Sequence, residues 1–119
     1  MHEFVRDSLE NIRTSILLVQ QRFKDIQTPG DFLSDADGLF TLDAVAMRLQ
    51  IIGENVKSLS ALDAELLAKY SEIEWQKIMR LRDLISHHYD VLDHEIIFNL
   101  CKENIPKLQR VIEAMLKNE

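Results

Sequence analysis

Apolar residues recur along most of the chain at alternating steps of three and four. From about Glu3 to Ile26 the stripe is Val5, Leu9, Ile12, Ile16, Val19, Phe23 and Ile26. Such spacing lays one face of an α-helix along a neighbouring helix. Thr28-Pro29-Gly30 stops this helix. Asp31 to Phe40, holding Ser34, Asp35, Asp37 and Gly38, reads as a connecting loop. Leu42, Val45, Leu49, Ile52, Val56 and Leu59 predict a second helix from about Leu42 to Leu59, with Thr41 as its N-cap. Gly53 in its middle costs about 1 kcal/mol relative to Ala, and the physical reason to expect there is close helix–helix approach.

A short helix is expected from about Leu62 to Lys69. Ser71, with Glu74 three residues on, forms a capping box for the next. Its stripe, Trp75, Ile78, Arg82, Ile85 and Tyr89, starts apolar and turns polar. Trp75 reads as a core anchor near the helix start. Asp93 is the expected N-cap of a last helix, with Ile97, Leu100, Leu108, Val111 and Met115 on its apolar face. Pro106 removes a backbone donor, so a kink or break is expected just before it. Repeats, low-complexity tracts and linkers are missing. The expected architecture is therefore one domain, 1–119, all-α, an up-and-down bundle of four to five helices.

Composition supports this fold class. Three glycines and two prolines in 119 residues are too few for the many turns of a sandwich or barrel. With 46% hydrophobic and 29% charged residues, the chain is not of the disordered class. Fourteen Lys and Arg against twenty Asp and Glu leave a net charge of −6. That balance opposes whole-surface binding to nucleic acid or membrane but allows a local basic site. One cysteine, Cys101, excludes an internal disulfide framework and a Cys-rich zinc site; it reads as a small buried hydrophobe. The N-terminus is charged, and the longest aliphatic run is Ile16-Leu17-Leu18-Val19. A cytoplasmic protein without a signal peptide or membrane span is the expectation.

The chemistry-bearing segment is Arg80-Leu81-Arg82-Asp83-Leu84-Ile85-Ser86-His87-His88-Tyr89-Asp90. On a continuous helix, Arg82, Ser86 and Tyr89 share one side at i, i+4 and i+7, and Asp83 and His87 are one turn apart. A carboxylate one turn before an imidazole can fix its tautomer and raise its pKa. A nearby guanidinium can grip a phosphate by a bidentate contact. Metal-independent RNA cleavage needs this pairing: the 2′-hydroxyl must lose a proton, the phosphorane charge must be stabilised, and the leaving oxygen must be protonated. Lys77, Arg80 and Arg82 against Asp83 make the segment locally basic. The same residues on a bland reading are a salt-bridged helix end with a solvated His, and His88, one position off the Arg82 face, reads as surface or interface. His87, His88, Asp90, Asp93, His94 and Glu95 are metal-ligand types, yet no His-Glu-x-x-His or Glu-x-x-His pairing is present. Neither a metal nor a cofactor is expected.

Arg82-Asp83-Leu84-Ile85-Ser86-His87-His88-Tyr89 resembles the R-x-x-x-x-H-x-Y motif of HEPN-domain proteins. More narrowly it is similar to HepT-like toxins encoded beside minimal nucleotidyltransferase antitoxins. Asp31-Phe32, Ile51-Ile52-Gly53-Glu54, Trp75 and Asp93 extend the likeness over most of the chain; Asp83 stands where an asparagine often follows the motif arginine. The resemblance implies a compact all-α HEPN-like fold, a homodimer with facing motif helices, and metal-independent endoribonuclease action on tRNA or mRNA. It implies Arg82 and His87 as the catalytic pair with Asp83 orienting or supporting them. It implies Tyr89 as the tyrosine that a partner nucleotidyltransferase modifies with AMP, setting phosphate and adenine over Arg82 and silencing the toxin. Ser86, Glu54 and Arg80 would be supporting residues. The competing expectation is a non-catalytic helical module that docks a minimal nucleotidyltransferase.

Overall fold

The computed structural model describes residues 1–88 and 91–119, with only the backbone of His87 and His88. Helix α1 spans Glu3–Phe23 and carries the expected stripe inward: Val5, Leu9, Ile12, Ile16 and Val19 are all buried. Helix α2 spans Ala36–Leu62. At a rise of about 1.5 Å per residue its 27 residues reach roughly 40 Å, and they set the 44 Å long axis of the molecule. α1 and α2 pack along each other, and α7 (Ile105–Asn118) lies against α1. Arg13 Nε donates to Glu113 Oε1 at 2.6 Å and Gln20 Nε2 to Gln109 Oε1 at 2.8 Å, so α1 and α7 run antiparallel.

Three short helices follow α2: α3 (Ala64–Ala68), α4 (Trp75–Met79) and α5 (Leu81–Ile85). Then β1 (Ser86–His88) and β2 (Val91–Leu92) form an antiparallel ribbon, Ser86 opposite Leu92 and His88 opposite Val91. Helix α6 (His94–Asn99) opens at Asp93, whose carboxylate accepts from the Ile96 N–H at 2.9 Å, as its sequence position predicted. The fold is all-α in class; this ribbon is its one departure among the described residues. No described helix is long and apolar enough to cross a membrane.

Several boundaries differ from expectation for local reasons. The stretch from Asp31 to Phe40 is not a loop. Pro29–Leu33 is a 3₁₀ turn, in which Asp31 Oδ2 accepts from the N–H groups of Gln27 at 2.8 Å and Thr28 at 3.0 Å. The turn drives Phe32 fully into the core. α2 begins six residues before Leu42, because Asp35 caps it by accepting from the Gly38 N–H at 2.7 Å. Thr41 is not a cap; inside the helix its hydroxyl donates to the Asp37 carbonyl. Ser71 and Glu74 form no capping box either: α4 opens at Trp75, and Glu74 makes no side-chain cap bond. The break before Pro106 is present as a π-helical turn, Leu100–Asn104, closed by the Ile105 N–H on the Leu100 carbonyl. Pro106 brings no N–H, which is where a helix tolerates such a turn.

Candidate functional site

Gly53 positions the segment that carries the chemistry. A Cβ there would stand 2.9 Å from the Ile78 carbonyl oxygen and 3.6 Å from Leu81 Cβ. α2 therefore abuts the α4–α5 junction at a distance only glycine permits without movement, as its mid-helix position suggested. Trp75 is half-buried against the core edge, and its Nε1 donates to the Tyr70 carbonyl at 3.0 Å. The Gly53 contact seats the α4–α5 junction on the long helix, and the Trp75 bond ties the start of α4 to the segment before it.

The chain does not run as one helix from Ser71 to Tyr89. Arg80, at φ −109° and ψ 22°, separates α4 from α5. That break rotates the register, so Leu81 and Ile85 take the inward positions at 1% and 0% exposure. Arg82 is turned out to the surface with Asp83. The arginine that interrupts the apolar stripe in the sequence thus occupies no core position. α5 itself ends at Ile85. Ser86 is extended at φ −126° and ψ 124°, and the Asp93 N–H donates to the Ile85 carbonyl at 2.7 Å. In a longer helix that carbonyl would accept from an N–H four residues on; here the N-cap residue of α6 supplies the donor instead.

The expected one-turn spacing of Asp83 and His87, and the helical face expected to hold Arg82 and Ser86, are therefore replaced by a helix end leading into a strand. Ser86 is half-buried in β1, and the His87 backbone follows it into the ribbon. The His87 side chain lies outside the described residues, as does Tyr89. Arg82 and Asp83 make no side-chain hydrogen bond or ion pair among the described residues. Arg82 is a cation held at the surface, with no counter-ion among the described residues.

Arg82 lines a shallow groove of about 300 Å³ with Met47, Gln50, Ile51, Glu54 and Asn55 of α2. The structure thus brings Arg82 and Glu54 together, two residues 28 apart in sequence. Met47, Gln50, Ile51 and Asn55 are the members that periodicity passed over. Their sequence signal is a second stripe on α2, Met47-Ile51 at a step of four, facing away from the buried row of Leu49, Ile52 and Val56. Glu54 pairs with Lys57 Nζ at 3.2 Å, with both side chains more than half exposed. Asn55 Nδ2 donates to the Ile51 carbonyl at 2.9 Å, leaving its Oδ1 as a spare acceptor. The basic patch divides: Lys77 lines a different, small groove with Lys107, Glu72 and Glu74, while Arg80 is exposed at the break. Cys101 is buried, as expected, and burial pushes its thiol up to about 12.

A family model described as Ribonuclease HepT-like matches residues 12–115. A Methanocaldococcus jannaschii protein named "gamma-glutamylcyclotransferase and putative RNase" is 32% identical over 123 residues; the alignment covers all of this chain but only 52% of that protein, so the chain spans about half its length. A second protein of that archaeon, named "putative RNase", is 33% identical over 115 residues, covering 97% of this chain and 86% of its own. A Thermococcus cleftensis protein named "probable ribonuclease HepT" is 32% identical over 112 residues, covering 94% of this chain and 96% of its own. No solved structure matches the chain.

Proposed function

Because the chain belongs to the ribonuclease HepT-like family, we propose that it is a metal-independent endoribonuclease of the HEPN type, acting on tRNA or mRNA. The observation that carries this reading is Arg82: exposed, without a counter-ion among the described residues, and in the short helix α5 that runs directly into the strand carrying His87. A guanidinium so placed is free to take a phosphate in bidentate contact. His87 moves protons at neutral pH. O2′ of the RNA loses its proton and attacks phosphorus. Arg82 stabilises the charge on the phosphorane oxygens, the P–O5′ bond breaks, and O5′ takes up a proton. The products are a 2′,3′-cyclic phosphate and a 5′-hydroxyl. Asp83 beside Arg82 supports the pair, and a homodimer with facing motif segments would place two such sets on one RNA.

The finer reading is a toxin of a toxin–antitoxin pair, working in the cytoplasm and silenced when a minimal nucleotidyltransferase adds AMP to Tyr89. Its support is the intact R-x-x-x-x-H-x-Y spacing from Arg82 to Tyr89. A second reading, a non-catalytic module that docks such a nucleotidyltransferase, draws on Phe40 of α2, an aromatic ring left 72% exposed. Cleavage of RNA in EDTA decides between them. His87→Ala and Arg82→Ala should each lower cleavage by about 10²–10³-fold with unchanged thermal unfolding. Equal cleavage by the double variant and the parent would refute the assignment; co-purification with a nucleotidyltransferase and no cleavage at any pH would select the docking module. Intact mass with and without the neighbouring gene product, and with Tyr89→Phe, tests the AMP step.

A further inference from the structure

The α2 groove beside Arg82 has a composition that phosphate binding does not explain. A phosphate needs donors and positive charge, yet the groove also offers an apolar strip and an acceptor-only group. Met47, 57% exposed, and half-buried Ile51 form the strip; Gln50, Asn55 and the Glu54 carboxylate form the polar rim; Arg82 is its cation. Its volume of about 300 Å³ sits at the lower end of small-molecule sites. We infer that this groove is a subsite for one unpaired nucleobase of the RNA, the base next to the phosphate that Arg82 holds. The inference rests on the ribonuclease reading and names its substrate class: single-stranded RNA with a preferred base at one position.

The chemistry selects the base. Proteins read unpaired RNA bases by stacking on their faces and by hydrogen bonds along their Watson–Crick edges. A thioether is soft and polarisable and packs well on an aromatic face. The Met47 side chain lies open on a mid-helix turn with the Ile51 side chain one turn on, which gives a flat ring a surface to lie on. Ionised Glu54 only accepts hydrogen bonds. Guanine presents two adjacent N–H donors, N1–H and the exocyclic N2–H, matching the two oxygens of a carboxylate; the other bases present a single donor position on that edge. The Asn55 Oδ1, left free by the bond from its Nδ2 to Ile51, adds a second acceptor. The Lys57 partner of Glu54 is no obstacle, since an exposed pair of this kind is weak and exchangeable. Arg82 offsets the repulsion between Glu54 and the neighbouring phosphate.

Two measurements on the intact chain test the subsite. In NMR titrations with the four nucleoside 5′-monophosphates, guanosine monophosphate should shift the Met47 methyl, the Asn55 side-chain amide and the Arg82 Nε–H. It should bind at least tenfold more tightly than uridine monophosphate. Glu54→Gln should abolish that preference while leaving uridine monophosphate binding in place, and Glu54→Asp should restore part of it. In a pool of random single-stranded oligoribonucleotides, the parent should enrich one base beside the cut, and Glu54→Gln should flatten the enrichment among whatever products it makes. Shifts outside the groove, equal affinity for all four nucleotides, or a Met47 methyl already covered by a second copy of the chain would overturn the inference. If the parent binds guanosine monophosphate in the groove but leaves RNA uncut, the ribonuclease reading fails and the subsite stands. If it cuts RNA with no base preference, the subsite fails and the ribonuclease reading stands.

Discussion

At Gly53 one added carbon would meet the Ile78 carbonyl at 2.9 Å, and that carbonyl belongs to backbone, which cannot swing aside as a side-chain tip can. Gly53→Ala gains about 1 kcal/mol of helix propensity but must push α4 and α5 away from α2, and overpacking of this kind costs about 1–3 kcal/mol. The expected result in thermal unfolding is a net loss near 1 kcal/mol. RNA cleavage should fall further than that loss explains, because the displaced α5 carries Arg82. Cys101 makes a different prediction. Burial pushes its thiol up to about 12, so the thiolate that reacts with alkylating reagents is nearly absent at pH 8. Iodoacetamide should leave the folded protein unmodified at that pH and alkylate it once in urea. Asp31 sets an acid limit on the fold. The Gln27 N–H first, and then the Thr28 N–H, hold its carboxylate below its ordinary range. A group with a lowered folded pKa stabilises the fold above its unfolded pKa, and that contribution is lost as pH falls through the folded value. Below about pH 4, the parent should therefore lose stability more steeply than Asp31→Asn in urea titrations monitored by circular dichroism.

At the scale of elements, Asp93 joins two roles. Its carboxylate caps α6 and its N–H terminates α5 on the Ile85 carbonyl. Asp93→Ala removes the cap and should cost about 1 kcal/mol of stability. Because the backbone bond to Ile85 survives the substitution, the ribbon should stay in place and cleavage should fall less than in Arg82→Ala. This junction also shows how far the sequence could be read. The long helices were legible because each buries a continuous stripe: Leu9-Ile12-Ile16 in α1, Leu49-Ile52-Val56 in α2, Leu108-Val111-Met115 in α7. The cap at Asp93 and the turn before Pro106 were legible because their signals are local. The end of α5 was not, since it depends on a donor eight residues further on. The early start of α2 was hidden by Leu39 and Phe40, both exposed, which belong to no inward stripe. At the candidate site, Arg82 and Glu54 could be picked out singly from their motif surroundings. Their shared groove could not, because it needs the Arg80 break that turns Arg82 outward and the Gly53 contact that brings α5 onto α2.

For the whole molecule, the charge of −6 and a phosphate-binding role are compatible if few phosphates are engaged. Arg80 and Arg82 are exposed cations in the segment that leads to His87. With each phosphate neutralised on single-stranded RNA contributing a slope of about −0.7 in log K against log salt, two contacts per chain predict a slope of about −1.4. Arg82→Ala should halve it, as read by fluorescence anisotropy with a fluorescein-labelled RNA. A homodimer doubles the contacts, and sedimentation at micromolar concentration should show two chains together; a monomer would contradict that assembly. In the proposed mechanism His87 and Arg82 cut RNA through its own 2′-hydroxyl. That mechanism is tested most directly by mass spectrometry of the ends produced from a defined oligoribonucleotide in excess EDTA. The expected ends are 2′,3′-cyclic phosphate and 5′-hydroxyl, with no cut where the residue 5′ to the scissile phosphate is a 2′-deoxynucleotide. Ends bearing 3′-hydroxyl and 5′-phosphate, or cleavage that EDTA abolishes, would contradict it.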